Sequence, residues 1–303
     1  MELRDLALLR ELDERGSLGA VARATRVTPS AVSQRIRLLE RSLGLPLTEP
    51  VGRGVRLTEA GRLLAAGAIE VAAVVAQVEA RLAAFRGGIG GSIDIAVLPS
   101  AGVVLLPSLI AALGDGIEVR VHDHDVAEAD YAALTRDHDL VIGHRMAPTP
   151  LPGWRGLRVV DLLREPIDIA LPLSHPLAAA ASVRPADLAG QRWIGVPEGY
   201  PFDDVRIAIE QAAAASFSIV QRVRDNRLVE ALVAAGLGIG MLPRFSTQRG
   251  GGIALVPLSG LPTGRTVSAL ARSDVAERAV VRHVLEVLER CAAAIVEADA
   301  VEA

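Results

Sequence analysis

The sequence predicts an N-terminal winged helix-turn-helix, all α with a β wing, followed by a linker helix and a C-terminal α/β domain of two lobes. Three observations carry this. Two short helical segments separated by a tight turn occupy the basic N-terminal part of the chain. An apolar repeat with heptad spacing comes next. From Ser92 onward, strand-like and helix-like runs alternate almost to the end.

Composition sets the frame. The chain has 303 residues, 50% of them hydrophobic, and a net charge of -4, which suits a soluble protein of about two domains. Cys291 is the only cysteine, so no disulfide can close within the chain, and a reducing, cytoplasmic setting is expected. The opening "MELRDLALLRELDERG" is too frequently charged for a secretion signal, and no apolar run is expected to cross a membrane. All 32 basic residues are arginine, a pattern that GC-rich coding explains without any function. Charge is unevenly placed. Between Gly16 and Leu57, seven arginines face two acids, a net of +5, whereas from Gly87 onward 19 arginines face 26 acids, a net of -7. A basic head on an acidic body points to a polyanion as partner of the head alone.

The head begins with "GSLGAVARATRV", a short helix capped by Ser17, and a tight turn then leads to "VTPSAVSQRIRLLERSLG". Thr28 is a good N-cap and Pro29 suits the first helical position. At 100° per residue, Val32, Ile36, Leu39 and Leu43 form one stripe, expected to be buried, and Ser30, Ser33, Gln34, Arg37 and Arg41 form the opposite face. These polar side chains are of the type and length that reach base edges and phosphates from a helix in the major groove. A solvated surface face would show the same pattern, but the preceding helix and turn make it a helix-turn-helix. Downstream, "LPLTEPVGRGVRLTEAG" reads as two strands around the Gly52-Arg53-Gly54 turn, a wing with arginine at its tip, and Thr58 caps the next helix. Thr28, Ser30, Ser33, Gln34, Arg37, Arg41, Arg53 and Arg56 are the expected DNA-binding residues, with a double-stranded operator as partner.

In the next helix, positions 64, 68, 71, 75, 78, 82 and 85 are Leu, Ala, Val, Val, Val, Leu and Phe, an unbroken 4-3-4-3 spacing that favours a two-helix seam over a core helix. Gly87, Gly88, Gly90 and Gly91 then supply a hinge.

The stretch from Gly16 to Gly61 resembles the N-terminal signature of LysR-type transcriptional regulators. More weakly, "SHPLAAAASVRPADLAGQRWI" and "VEALVAAGLGIGMLP" are similar to recurring segments of that family's effector domain. The resemblance implies a winged helix-turn-helix, a dimerising linker helix, and a two-lobed ligand-sensing domain similar to periplasmic binding proteins. The chain departs from the pattern in having Thr48 where an aromatic is usual, Pro50 where a basic residue is usual and Pro29 where a polar residue is common.

The expected domains are 1–58, 59–87 and 88–303, with a first lobe over about 92–160 and 268–303 and a second over about 161–267. In the first lobe "SIDIAVL", "IEVRVHDHD" and "DLVIGH" read as parallel strands, with helices at "VVLLPSLIAAL" and "ADYAALTRD"; in the second "PIDIALP", "RWIGVPE", "SIVQRV" and "GIGMLP" read as strands. Ligands of open α/β sheets sit at the carboxyl ends of strands. Ser100, Ala101 and Gly102 hold that position after the first strand, His144 and Arg145 after the third, Pro197, Glu198, Gly199 and Tyr200 in the second lobe, and Asn226 at a helix start. A cap role for Ser100 is the competing reading.

His122 and His124 share a strand face and His138 and His144 follow, a set that would suit a metal but that solvent or backbone contacts explain as well; no metal or cofactor is expected. No nucleophile elbow or phosphate-binding loop is present, so no enzyme is expected, and Cys291 reads as a core filler. The reading is a transcriptional regulator controlled by a small-molecule effector, a homodimer extending to a tetramer, with RNA polymerase as a further partner. An architectural DNA-binding protein with an oligomerising C-terminal domain is the alternative, and a solute-binding protein without DNA function is weakened by the basic face.

Overall fold

The computed structural model describes residues 1–52, 54–85, 89–248 and 250–302. The chain divides into two compact units, Met1–Gly90 with Arg272–Arg282, and Gly91–Ala271 with His283–Ala303. Residues 272–282, expected in the first lobe, thus group with the N-terminal unit.

In the first unit α1 (Leu3–Arg15), α2 (Leu18–Thr25) and α3 (Pro29–Leu43) precede a two-stranded wing, β1 (Thr48–Val51) and β2 (Gly54–Leu57), and the long helix α4 (Glu59–Phe85). Local chemistry sets the boundaries. Ser17 Oγ accepts from Ala20 N, Thr28 Oγ1 accepts from Ala31 N, Pro29 occupies the first turn, and Gly44 ends α3 with φ +68°. Arg26 closes α2 in the same left-handed region, at φ +55°, which makes the turn into α3 tight. Val32, Ile36 and Leu39 join Leu9, Leu12, Val21, Leu47 and Leu57 in one core. Each of these side chains contributes about 1.5–3 kcal/mol by leaving water. Leu43, expected with them, is 37% exposed, because α3 runs past the core before it stops.

α4 packs on α1 and on α9 (Ser273–Ala276) in the same unit. Ala65, Ala68, Ala76 and Ala80 are buried and Leu64 packs on the core, whereas Val71, Val74, Val75, Val78, Leu82 and Phe85 are exposed. The expected seam therefore loses its first two positions, 64 and 68, to the chain's own packing. The hinge glycines Gly87 and Gly88 lie outside the described residues. Contrary to the sequence reading, α4 over Glu59–Ala83 is long and apolar enough to cross a membrane, as is Pro99–Gly116.

The second unit contains β3 (Gly91–Val97), α5 (Pro99–Leu113), β4 (Ile117–Asp123), α6 (Tyr131–Leu134), β5 (Leu140–Arg145), β6 (Leu157–Pro172), β7 (Arg192–Gly195), α7 (Pro201–Ala213), β8 (Ser218–Arg222), α8 (Asn226–Ala234), β9 (Gly240–Pro243), β10 (Ile253–Val256) and β11 (Gly264–Arg272). Its last helix, α10 (Ala279–Glu302), begins within the first unit. Among the described residues a seven-stranded sheet has the order β10-β6-β11-β5-β3-β4, with β9 also on β6. β3 pairs parallel with β4 and β5, as the strand–helix alternation requires, but β11 returns antiparallel to β5. β9 and β10 are antiparallel to β6, and β7 and β8 form a separate parallel pair. The long strands β6 and β11 are shared by both lobes, so the sheet is mixed and curled. The helix expected at "ADYAALTRD" is reduced to the single turn α6, with a preceding turn at Glu128–Asp130.

Candidate functional site

The outer face of α3 is a groove of about 840 Å³ lined by Ser30, Ser33, Gln34, Arg37, Glu40, Arg41 and the Gly44–Pro46 turn. Its one acid is already occupied, since Glu40 Oε1 accepts from Leu47 N (2.8 Å), Thr48 N (2.9 Å) and Thr48 Oγ1 (3.0 Å). That explains Thr48, whose hydroxyl helps tie the wing to α3. Arg37 and Arg41 have no acidic partner among the described residues, and both are exposed. Thr28 Oγ1 and Ser30 Oγ lie 2.9 Å apart at the helix start. On the wing, Arg56 Nε donates to Glu49 at 2.6 Å with the side chain 66% exposed, and Arg53 lies outside the described residues. Arg35 is held by Asp5 and Glu2, so it belongs to the scaffold rather than to the groove.

The second unit encloses a cavity of about 440 Å³ where its two lobes meet. Ser100 and Val103 of α5, His144 of β5, Val196, Tyr200 and Phe202 before and in α7, Asn226 of α8, Ser246 and Arg265 of β11 reach it. α5 starts at Pro99 with Leu98 as N-cap and no side-chain cap, so Ser100 does not cap its helix. Asp225, not Asn226, caps α8, accepting from Arg227 N and Leu228 N. Arg224 lies over the Tyr200 ring at 4.7 Å and pairs with Asp125 at 3.6 Å at the cavity edge.

Several expected residues stand elsewhere. Arg145 follows His144 on one strand, and successive side chains of a strand point to opposite faces. His144 therefore meets the cavity, while Arg145 donates to Asp161 (2.6 and 2.7 Å) and Ser268 (2.6 Å) on the other face. This ion pair holds the Asp161 carboxyl below its usual range. Ala101 and Gly102 are buried, and a Cβ on Gly102 would meet Val97 at 3.2 Å, so the pair seats α5 on β3. Pro197 is outside the lining, Glu198 is exposed and pairs with Arg222 at 3.2 Å, and Gly199 turns with φ +79° beside a neighbouring pocket near Glu128 and Asp204. Arg265, Arg224, Asp125, Ser246 and Glu230 line the cavity without having been expected there. Alternation along "GRTVSALAR" would have put Arg265 on the face of Val267, had its pairing with His144 been known.

His144 and Arg265 form the buried end. Val267 lies opposite His144 across β5 and β11, so Arg265 is its diagonal neighbour on the same face. Burial, reinforced by the Arg265 charge, pushes His144 down to about 3. Arg265 Nε donates to Glu165 Oε2 at 2.8 Å and its Nη2 lies 2.6 Å from the same oxygen. Glu165 Oε1 in turn accepts from Phe245 N and Ser246 N. The ring of His138 lies 4.8 Å from that of His122 and 5.2 Å from that of His124, far from His144, and burial lowers its pKa. Among the described residues no three His, Cys, Asp or Glu side chains converge as a metal ion would need.

A basic helix-turn-helix and a two-lobed domain with a cavity between its lobes define a DNA-binding protein with a built-in ligand sensor. Residues 3–62 match the bacterial regulatory helix-turn-helix of the lysR family and residues 86–292 match the LysR substrate binding domain. The chain belongs to the LysR family of bacterial transcriptional regulators. It is 29% identical to the hydrogen peroxide-inducible genes activator of Pectobacterium carotovorum over 82% of each chain, and 27% identical to the transcriptional activator IlvY of Salmonella typhimurium over 90% of each. The structure of a full-length OxyR variant from Pseudomonas aeruginosa shares the fold, with TM-score 0.63 and 22% identity over 96% of this chain and 94% of that one. The protein is a DNA-binding transcriptional regulator with an effector-binding domain, not a purely architectural DNA-binding protein.

Proposed function

We propose that α3 enters the major groove of a double-stranded operator, with Ser33 and Gln34 reading base edges and Thr28, Ser30, Arg37 and Arg41 holding phosphates, assisted by Arg53 and Arg56 of the wing. The observation that carries this is the groove on α3, whose arginines are free while its only acid is occupied by the wing. With its acid withdrawn, the face presents positive charge that a polyanion can neutralise. The exposed valines of α4 join two copies, as in a homodimer that assembles further into a tetramer. A small molecule in the cavity of the second unit sets DNA affinity or geometry through a change in the lobes.

The protein works in the cytoplasm, where its operator lies, without catalysis of its own and with RNA polymerase as the downstream partner. With one cysteine, a thiol–disulfide switch within one chain has no second thiol, which separates this sensor from one that closes such a bond. The test is the salt dependence of operator binding. Arg37→Ala should lower the slope of log affinity against log salt by about one. An unchanged slope would remove Arg37 from the phosphate contacts.

A further inference from the structure

The buried end of the cavity is electrically balanced and half unpartnered. His144 is 8% exposed, and its Nδ1 is buried without a hydrogen bond, 3.9 Å from Glu128 Oε1. A carboxylate oxygen facing Nδ1 favours the proton on that nitrogen, since a bare lone pair there would meet another. Nε2 is then an acceptor, and none of the described residues donates to it. Arg265, 2% exposed, gives Nε and Nη2 to Glu165, with Nη2 also 3.5 Å from Ser246 Oγ, and leaves Nη1 as a donor without a partner among the described residues. Its positive charge is cancelled by Glu165, itself 2% exposed.

Taking the cavity as the effector site, we propose that the effector enters with an uncharged hydroxyl at its buried end, alcoholic or phenolic, which donates to His144 Nε2 and accepts from Arg265 Nη1. A carboxylate offers Nε2 no proton and would place a second anion on an arginine already neutralised by Glu165. An ammonium could satisfy Nε2 but would stand beside a buried guanidinium. Diagonal neighbours on one sheet face lie close enough for one group to engage both long side chains. Leu98, Val103, Val196 and Phe202 give the body of the molecule an apolar wall.

Three probes with one ring separate the chemistries: phenol, benzoate and toluene, titrated against the full chain by ligand-observed NMR at millimolar concentration, beside a Val103→Trp variant that fills the cavity. Phenol should bind about tenfold more tightly than either of the others, because a site with paired donor and acceptor rejects analogues that leave them unmatched. Val103→Trp should abolish that binding. In His144→Phe the advantage of phenol over toluene should vanish. Benzoate binding better than phenol, and blocked by Val103→Trp, would overturn the hydroxyl while leaving the cavity as the effector site. A phenol advantage that survives His144→Phe would overturn it as well, and the wild-type ranking decides the matter if that variant does not fold. Probe binding that ignores Val103→Trp, or no phenol binding at all, would contradict the cavity reading and the inference together.

Discussion

His144 shows what burial does to a single titratable group. Folding holds its pKa near 3 where the free imidazole has 6.5, so below 6.5 the unfolded chain binds a proton that the folded chain refuses. Stability from this residue is therefore complete above about 6.5 and falls with pH by about 1.4 kcal/mol per unit down to the folded value. Urea unfolding of wild type and His144→Phe at about pH 7 and about pH 5 should show their stability difference move by about 2 kcal/mol against the wild type. A pH-independent difference would mean that His144 is solvated. Ser100 makes a different prediction. Its hydroxyl caps nothing, so Ser100→Ala should shift stability by less than about 0.5 kcal/mol, yet weaken the DNA-binding response to effector. A loss of about 1 kcal/mol with the response intact would return it to a cap role.

The strand period explains why sequence reading paired His144 with Arg145. Both follow "LVIG", but period two sends them to opposite faces, and which face is the cavity depends on β11, more than a hundred residues later. Arg224, Arg265 and Asp125 were missed for the same reason, since they meet only through the crossing of distant segments. The helix α3 was legible because its information is local: the Thr28 cap and the stripe of Val32, Ile36 and Leu39 lie within one stretch.

At the scale of elements, α3 and the wing act as one body through Glu40. Replacing Glu40 by Ala would orphan the amides of Leu47 and Thr48 and should cost about 1–3 kcal/mol, read by thermal unfolding of the full chain. No loss would show that water replaces the carboxylate. The linker helix was half legible. Its heptad is real, but a helical period does not say whether a stripe meets its own domain or a second copy. Leu64 and Ala68 meet their own, Val71 and Val75 line a groove against α1 and α9, and Val78, Leu82 and Phe85 stay exposed. Val78→Asp with Leu82→Asp should leave a monomer in sedimentation at micromolar concentration, because charges in an apolar seam lose water without gaining partners. A variant that remains dimeric would place the interface elsewhere.

Across the whole molecule, charge is divided between a basic head, with +5 between Gly16 and Leu57, and an acidic body from Gly87 onward, with -7. A basic head on an acidic body suits the proposed contact of DNA with the head. The change from helical to strand–helix periodicity near Ser92 is local and legible, and the second compact unit begins beside it, at Gly91. The shared strands β6 and β11, and the grouping of residues 272–282 with the N-terminal unit, depend on long-range pairing that periodicity does not encode. Whether the α3 face reads an operator is decided by footprinting the full chain on DNA flanking its own gene, wild type beside a Gln34→Ala, Arg37→Ala variant. Wild type should protect discrete half-sites spaced by whole turns of about 10 base pairs, and the variant should lose them while remaining folded. Identical protection by both proteins would contradict that role for α3.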